Sequence, residues 1–125
     1  MGFKWQQYVE LAGELISGRF TNTSRQARHR AAISRAYYGA FIPTRDAMQR
    51  RLSKCYGRVD VHAAVRKDLE SSESQVCNDI GLFLATMARR RKNADYEADW
   101  REDDQETALD QLSKANKVLE LLDKV

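Results

Sequence analysis

The sequence predicts an all-α protein, one domain over residues 1–125 folded as an antiparallel up-and-down bundle of four to five helices. Three observations predict it. Gly and Pro are scarce, at six and one, while the helix formers Ala, Leu, Arg, Glu and Gln are plentiful. Four long stretches repeat apolar residues every three or four positions and are joined by short polar connections. No stretch alternates apolar and polar residues as a half-buried strand does. With 125 residues and a hydrophobic fraction of 42%, the chain can build one core without metal or disulfide staples.

The first helix is expected over residues 3–17, carried by Trp5, Tyr8, Ala12, Leu15 and Ile16. Gly18 suits a left-handed turn past its end. Thr21, Asn22, Thr23 and Ser24 all offer N-cap side chains to the second and longest helix. There Ala27, Ala31, Ser34, Tyr38, Phe41, Arg45, Met48 and Leu52 keep a seven-residue repeat. Pro43 interrupts it, removing one backbone donor and favouring a kink.

Tyr56-Gly57 reads as a break. A short third helix follows from His62, Ala63, Val65, Arg66 and Leu69, with Asp60 as its cap. Ser71 to Ser74 is the next polar connection. Val76, Ile80, Phe83, Leu84 and Met87 define a fourth helix running toward Arg91. From Asn93 to Asp104 the periodicity lapses, with Tyr96 and Trp100 placed to anchor that segment to the core. The last helix, about residues 104–124, has a stripe of Ala108, Leu112, Ala115, Leu119 and Leu122 beside Leu109, Val118 and Leu121.

Composition removes several function classes. Met1 to Trp5 lacks the apolar region of a signal peptide, and no run approaches a membrane span, so a cytoplasmic, non-membrane protein is expected. Cys55 and Cys77 stand in no metal-like spacing and read as two thiols in a reducing compartment. There is no phosphate-binding glycine loop, no His-Glu-x-x-His segment and no nucleophile elbow. With only His29 and His62 as histidines, a structural zinc site is not expected, nor is any cofactor. Phosphate chemistry by arginine, histidine and tyrosine is what is left.

The net charge of +3 is modest, but its distribution is uneven. From Arg25 to Lys54 eight bases face the single acid Asp46, and Arg89 to Lys92 adds four more. From Asp95 to Glu106 seven acids face Arg101. Such asymmetry marks either a basic surface for phosphate-rich partners or simply solvated helix faces.

Two polar constellations stand out against the apolar background. Ser34 and Tyr38 stack on one helix face with Arg30 and Arg35 on neighbouring turns. Arg35 and Arg30 offer guanidinium forks for phosphate or carboxylate, and Asp95 is the acid placed to pair with either. The bland alternative puts Tyr38 in the core with its hydroxyl at the rim, and Arg35 in a structural ion pair. The second constellation is Arg91, Asn93, Asp95 and Tyr96, in which Arg91 and Asp95 can pair across one turn of a continuing helix.

The segment Ser34-Arg35-Ala36-Tyr37-Tyr38-Gly39-Ala40-Phe41, followed by Arg91-Lys92-Asn93-Ala94-Asp95-Tyr96, resembles the HEPN family (higher eukaryotes and prokaryotes nucleotide-binding). Arg30 and His62 fit the same pattern, and the likeness runs over nearly the whole chain. The resemblance implies a homodimer joined through the motif-bearing face. It also implies a toxin–antitoxin or defence module with a minimal nucleotidyltransferase as partner. In many members an arginine followed four to six residues later by a histidine supports metal-independent RNA cleavage. Here Tyr96 stands five after Arg91, and a tyrosine of pKa about 10 is a poor general base at neutral pH. His29 and His62 follow Arg25 and Arg58 by four.

The resemblance therefore implies binding of RNA or a nucleotide through Arg30, Ser34, Arg35, Tyr38 and Arg91, with cleavage weak or absent. The alternative is a metal-independent endoribonuclease in which Arg91 stabilises the transition state and Asp95, Tyr96 or His62 moves the proton. A third is a structural helical adaptor whose polar residues are buried pairs.

Overall fold

The computed structural model describes residues 2–19, 24–100 and 103–125. It contains α1 (Gln7–Ser17), α2 (Arg25–Leu52), α3 (Val61–Glu70), α4 (Gln75–Tyr96) and α5 (Asp104–Leu122), with no strand among the described residues. The all-α bundle is as the sequence predicts. No helix of the described residues is long and apolar enough to cross a membrane.

Cross-helix pairings fix the directions. Arg30 meets Ala94 while Gln111 bridges Ile33 and Met87, so α2 and α4 run antiparallel. Arg28 reaches Leu15 and Gly39 faces Val9, which sets α1 antiparallel to α2. His29 meets Asp104, and the carbonyl of Ile33 accepts from Gln111, so α2 and α5 run parallel. In an up-and-down arrangement parallel helices are diagonal neighbours, yet α2 packs on α5 at least as extensively as on α1 or α4. Small side chains explain it. Ala32, Ala36 and Ala40 on α2, with Ala108 and Ala115 on α5, are all essentially inaccessible and let the two axes approach. The other diagonal, α1 and α4, is correspondingly spread, with no backbone approach among the described residues. α3 packs mainly on α4, and Gly81 receives Leu69 at the crossing.

Local chemistry explains the helix starts. Ser24, Ser74 and Asp103 each accept a hydrogen bond from a backbone N–H three residues on, at 3.1, 3.3 and 2.8 Å. Ser24 is thus the cap of α2; Thr21 to Thr23, also offered by the sequence, lie outside the described residues, as do Arg101 and Glu102.

Several expectations are corrected. α1 begins at Gln7, so Phe3 and Trp5 precede it and cluster with Tyr8 instead. Gly18 is extended (φ −71°, ψ 162°), and the left-handed C-cap is Ser53 after α2. Asp60 holds the N-cap position of α3 with a left-handed backbone (φ 52°) and makes no capping bond with its side chain. Pro43 does not interrupt α2, which is helical across it; there the Thr44 hydroxyl donates to the Ala40 carbonyl at 2.8 Å. α4 continues through Asn93 to Tyr96.

The stripe expected on α2 holds in its middle, where Ser34, Phe41 and Met48 are buried, and fails at its ends, where Ala27, Ala31 and Leu52 are exposed. A second line through His29, Ile33, Tyr37, Ala40 and Thr44 is buried beside it. On α5 the buried centre includes Gln111, whose amide donates to the carbonyls of Met87 and Ile33 at 3.0 and 3.3 Å. Leu109 is exposed. Cys77 is buried and Cys55 exposed, both free thiols.

Candidate functional site

The buried line through Ile33 and Tyr37 on α2 decides the site, because it puts Tyr37 in the core and leaves Tyr38 at the edge. Tyr37 is fully buried. Its hydroxyl lies 2.6 Å from Nδ1 of His62 on α3, and burial pushes its pKa well above the ordinary tyrosine value. His62 stacks on Phe41 with ring centroids 4.2 Å apart. Burial first, then the charges of Arg91 and Arg66, lower the pKa of His62 below the usual imidazole range. Both groups are therefore neutral at pH 7.

The network fixes the tautomer. Arg66 stands beside the Tyr37 hydroxyl and has only donors to offer. The hydroxyl proton has His62 Nδ1 as its acceptor, which assigns the imidazole proton to Nε2 from the hydrogen-bond network. His62 is then a neutral donor in an open groove of about 610 Å³ walled by α2, α3 and α4. Arg66, Arg89, Arg91, Lys92 and Tyr96 line the same groove, as does the acid Asp60.

Arg91 is the most constrained of these cations. Its guanidinium lies over Tyr38 at 5.7 Å and over Tyr37 at 5.8 Å from the ring centroids. Asp95 stands 3.7 Å away, an ion pair across one helical turn but too long for a good hydrogen bond. The Arg91 Nε is buried without a hydrogen-bond partner. No salt bridge neutralises Arg66, Arg89 or Lys92 among the described residues.

The sequence-predicted residues divide. Ser34, Tyr38, His62, Arg91 and Asp95 converge, with Ser34 Oγ donating to Asp95 at 3.4 Å. Tyr96 lines the groove but is 71% exposed, so it does not anchor its segment; the partly buried Trp100 does. Arg30 is engaged at the end of α4 and does not line the groove. Its guanidinium donates to the carbonyls of Ala94, Glu97 and Ala98 at 3.0, 2.8 and 3.4 Å, closing the C-terminus of α4, and it lies over Trp100. Asp95 pairs with Arg91 and not with Arg30 or Arg35, because Arg30 is held by those carbonyls and Arg35 turns to α1, over Tyr8 at 5.0 Å. Arg45 pairs with its neighbour Asp46 at 2.9 Å.

The sequence set Tyr37 beside Ser34 and Tyr38 without giving it a role, and it gave none to Arg66. The available signal for Tyr37 was the line Ile33, Tyr37, Ala40, Thr44, which runs beside the one through Ser34 and Tyr38.

Among the described residues no group of three His, Cys, Asp or Glu side chains is placed to hold a metal ion. What the arrangement offers is a set of unneutralised cations, a neutral imidazole donor and aromatic rings, which suits a phosphodiester or phosphate group. No protein-family model, curated protein or solved structure matches the chain.

Proposed function

We propose that the chain is a HEPN-type protein that binds RNA or a nucleotide by its phosphates in the groove between α2, α3 and α4. The observation that carries the binding is Arg91. It is stacked on two tyrosines, its Nε–H lacks an acceptor, and its one carboxylate neighbour is too distant to satisfy it. The Arg91 side chain is partly exposed and lines the groove, and an ion pair held only at 3.7 Å leaves its guanidinium able to take a phosphate oxygen. Arg66, Arg89 and Lys92 supply further charge, and His62 Nε2–H a further donor.

The same geometry favours holding over cutting. A general base needs a free lone pair and a pKa near the working pH. In His62 one nitrogen is engaged by Tyr37 and the other carries the proton. The ribonuclease alternative is favoured by one observation, that His62 shares a groove with Arg91 although the two are far apart in sequence. Cleavage would then require Tyr37 to release Nδ1. A second copy on this face, a nucleotidyltransferase partner and a toxin–antitoxin role rest on the resemblance alone.

The test is RNA binding by fluorescence anisotropy across a salt series, with cleavage followed in chelator. We expect binding that weakens with salt and little cleavage. Arg91→Ala should lower affinity and reduce the salt slope by about 0.7 if one phosphate contact is lost. Absence of binding at low salt overturns the proposal. Rapid cleavage in chelator, abolished by Arg91→Ala, replaces it with the ribonuclease.

A further inference from the structure

The spread of α1 from α4 leaves the outer line of α2 uncovered. Ala31 is exposed there, and Arg35, Tyr38, Ile42 and Arg45 are partly so. Along this furrow rings and guanidinium groups alternate. Tyr8 of α1 carries Arg35 at 5.0 Å, Arg35 lies 5.8 Å from Tyr38, and Tyr38 carries Arg91 at 5.7 Å. The outer end is an aromatic cluster, with Phe3 at 5.0 Å from Trp5 and 5.3 Å from Tyr8. Phe3 is half exposed, so this cluster is not closed over by the bundle.

Arg35 has no carboxylate partner among the described residues, and rings are its only neighbours of note. A core-capping cluster would explain Trp5 and Tyr8. It would not explain an unneutralised guanidinium between two tyrosines, continuous with the Arg91 groove.

We infer that the furrow from Phe3 through Tyr8, Arg35 and Tyr38 is a stacking track for the unpaired bases of single-stranded RNA whose phosphates enter the Arg91 groove. Bases stack on aromatic rings and on guanidinium planes alike, and such stacking tolerates any base. A duplex keeps its faces hidden and gains only the charge. The ligand class is thus a single strand of several nucleotides, with little sequence preference. This rests on the RNA-binding reading above.

The experiment compares a single-stranded RNA homo-oligomer of about ten nucleotides with a duplex of equal phosphate number and with a mononucleotide. Wild type should prefer the single strand. Phe3→Ala, which removes a half-exposed ring, and Tyr8→Ala should each weaken single-strand binding roughly tenfold, since one stacked base is lost. The salt slope should not change, because stacking releases no counterions. Tyr8→Trp should retain affinity, and should Tyr8→Ala fail to fold, Phe3→Ala and Tyr8→Trp decide the matter.

Equal affinity for duplex and single strand overturns the track while leaving the phosphate groove standing. So does unchanged affinity in Phe3→Ala and Tyr8→Ala, or binding of the mononucleotide alone. If Phe3→Ala dissociates a dimer in sedimentation and spares RNA affinity, a second copy of the chain is the occupant. No binding of any of the three probes overturns both readings.

Discussion

Tyr37 and His62 show how one side chain sets the chemistry of another. Because the His62 pKa is lowered on folding, the unfolded chain binds more protons between the two values. The associated stability is complete above about pH 6.5 and is lost as pH falls below it. Asp68, held down mainly by its hydrogen bond with Lys54, and Asp110, by that with Lys114, act in the same direction only below the ordinary value of 3.8. Thermal melts should therefore drop between pH 7 and 5, and His62→Gln should flatten that drop; equal slopes in both proteins would assign it elsewhere. Tyr37→Phe should cost about 1 kcal/mol and remove the Nε2–H preference of His62. Nitrogen-15 imidazole shifts read this directly. Arg30→Ala should lower stability by about 1–2 kcal/mol while changing RNA affinity less than Arg91→Ala does, since its donors serve the carbonyls ending α4.

At the scale of elements, the crossing of α1 and α2 depends on Gly39. A Cβ there would stand 2.7 Å from Cγ2 of Val9 and 3.0 Å from its backbone nitrogen, with the Trp5 carbonyl at 3.2 Å. Val9 is β-branched and cannot swing away, and the other two atoms are backbone. Alanine gains about 1 kcal/mol in helix propensity, yet the overlap costs about 1–3 kcal/mol. We expect Gly39→Ala to destabilise on balance in denaturant titrations, whereas Gly57→Ala, with nothing within 4 Å, should not. An unchanged or raised midpoint for Gly39→Ala would mean that the crossing is looser than described. Moving α1 would also displace Tyr8 from Arg35, so weakened single-strand binding should accompany the loss.

For the whole molecule, the close diagonal of α2 and α5 is what opens the opposite one. Ala36 on α2 and Ala115 on α5 are 1% and 0% exposed. Enlarging either to leucine should cost about 1–3 kcal/mol by overpacking, read from thermal or urea unfolding. If Ala36→Leu and Ala115→Leu are both neutral, small side chains are not what brings α2 and α5 together. Arg91 lines the groove and lies over Tyr38 of the furrow, so these packing changes should also alter RNA affinity without touching a phosphate contact.

The sequence by itself determined an all-α bundle and placed Ser24 among the residues able to cap α2, because hydrogen bonding within a helix and its first turn is local. It also brought out Arg91 with Asp95, one turn apart on a single helix. How two adjacent apolar lines on α2 share burial was beyond it. Both contain apolar residues at helical spacing, and burial follows whichever face the neighbouring helices cover. Tertiary packing buried the line through Ile33 and Tyr37 together with Ser34, Phe41 and Met48 of the other, since alanines on α2 and α5 admit a close diagonal contact. That packing put Tyr37 under His62 and left Tyr38 and Arg35 in an open furrow. It also set Arg30 on the carbonyls that finish α4. A side chain's type is written in the sequence, but its partner is set by which helices lie beside it.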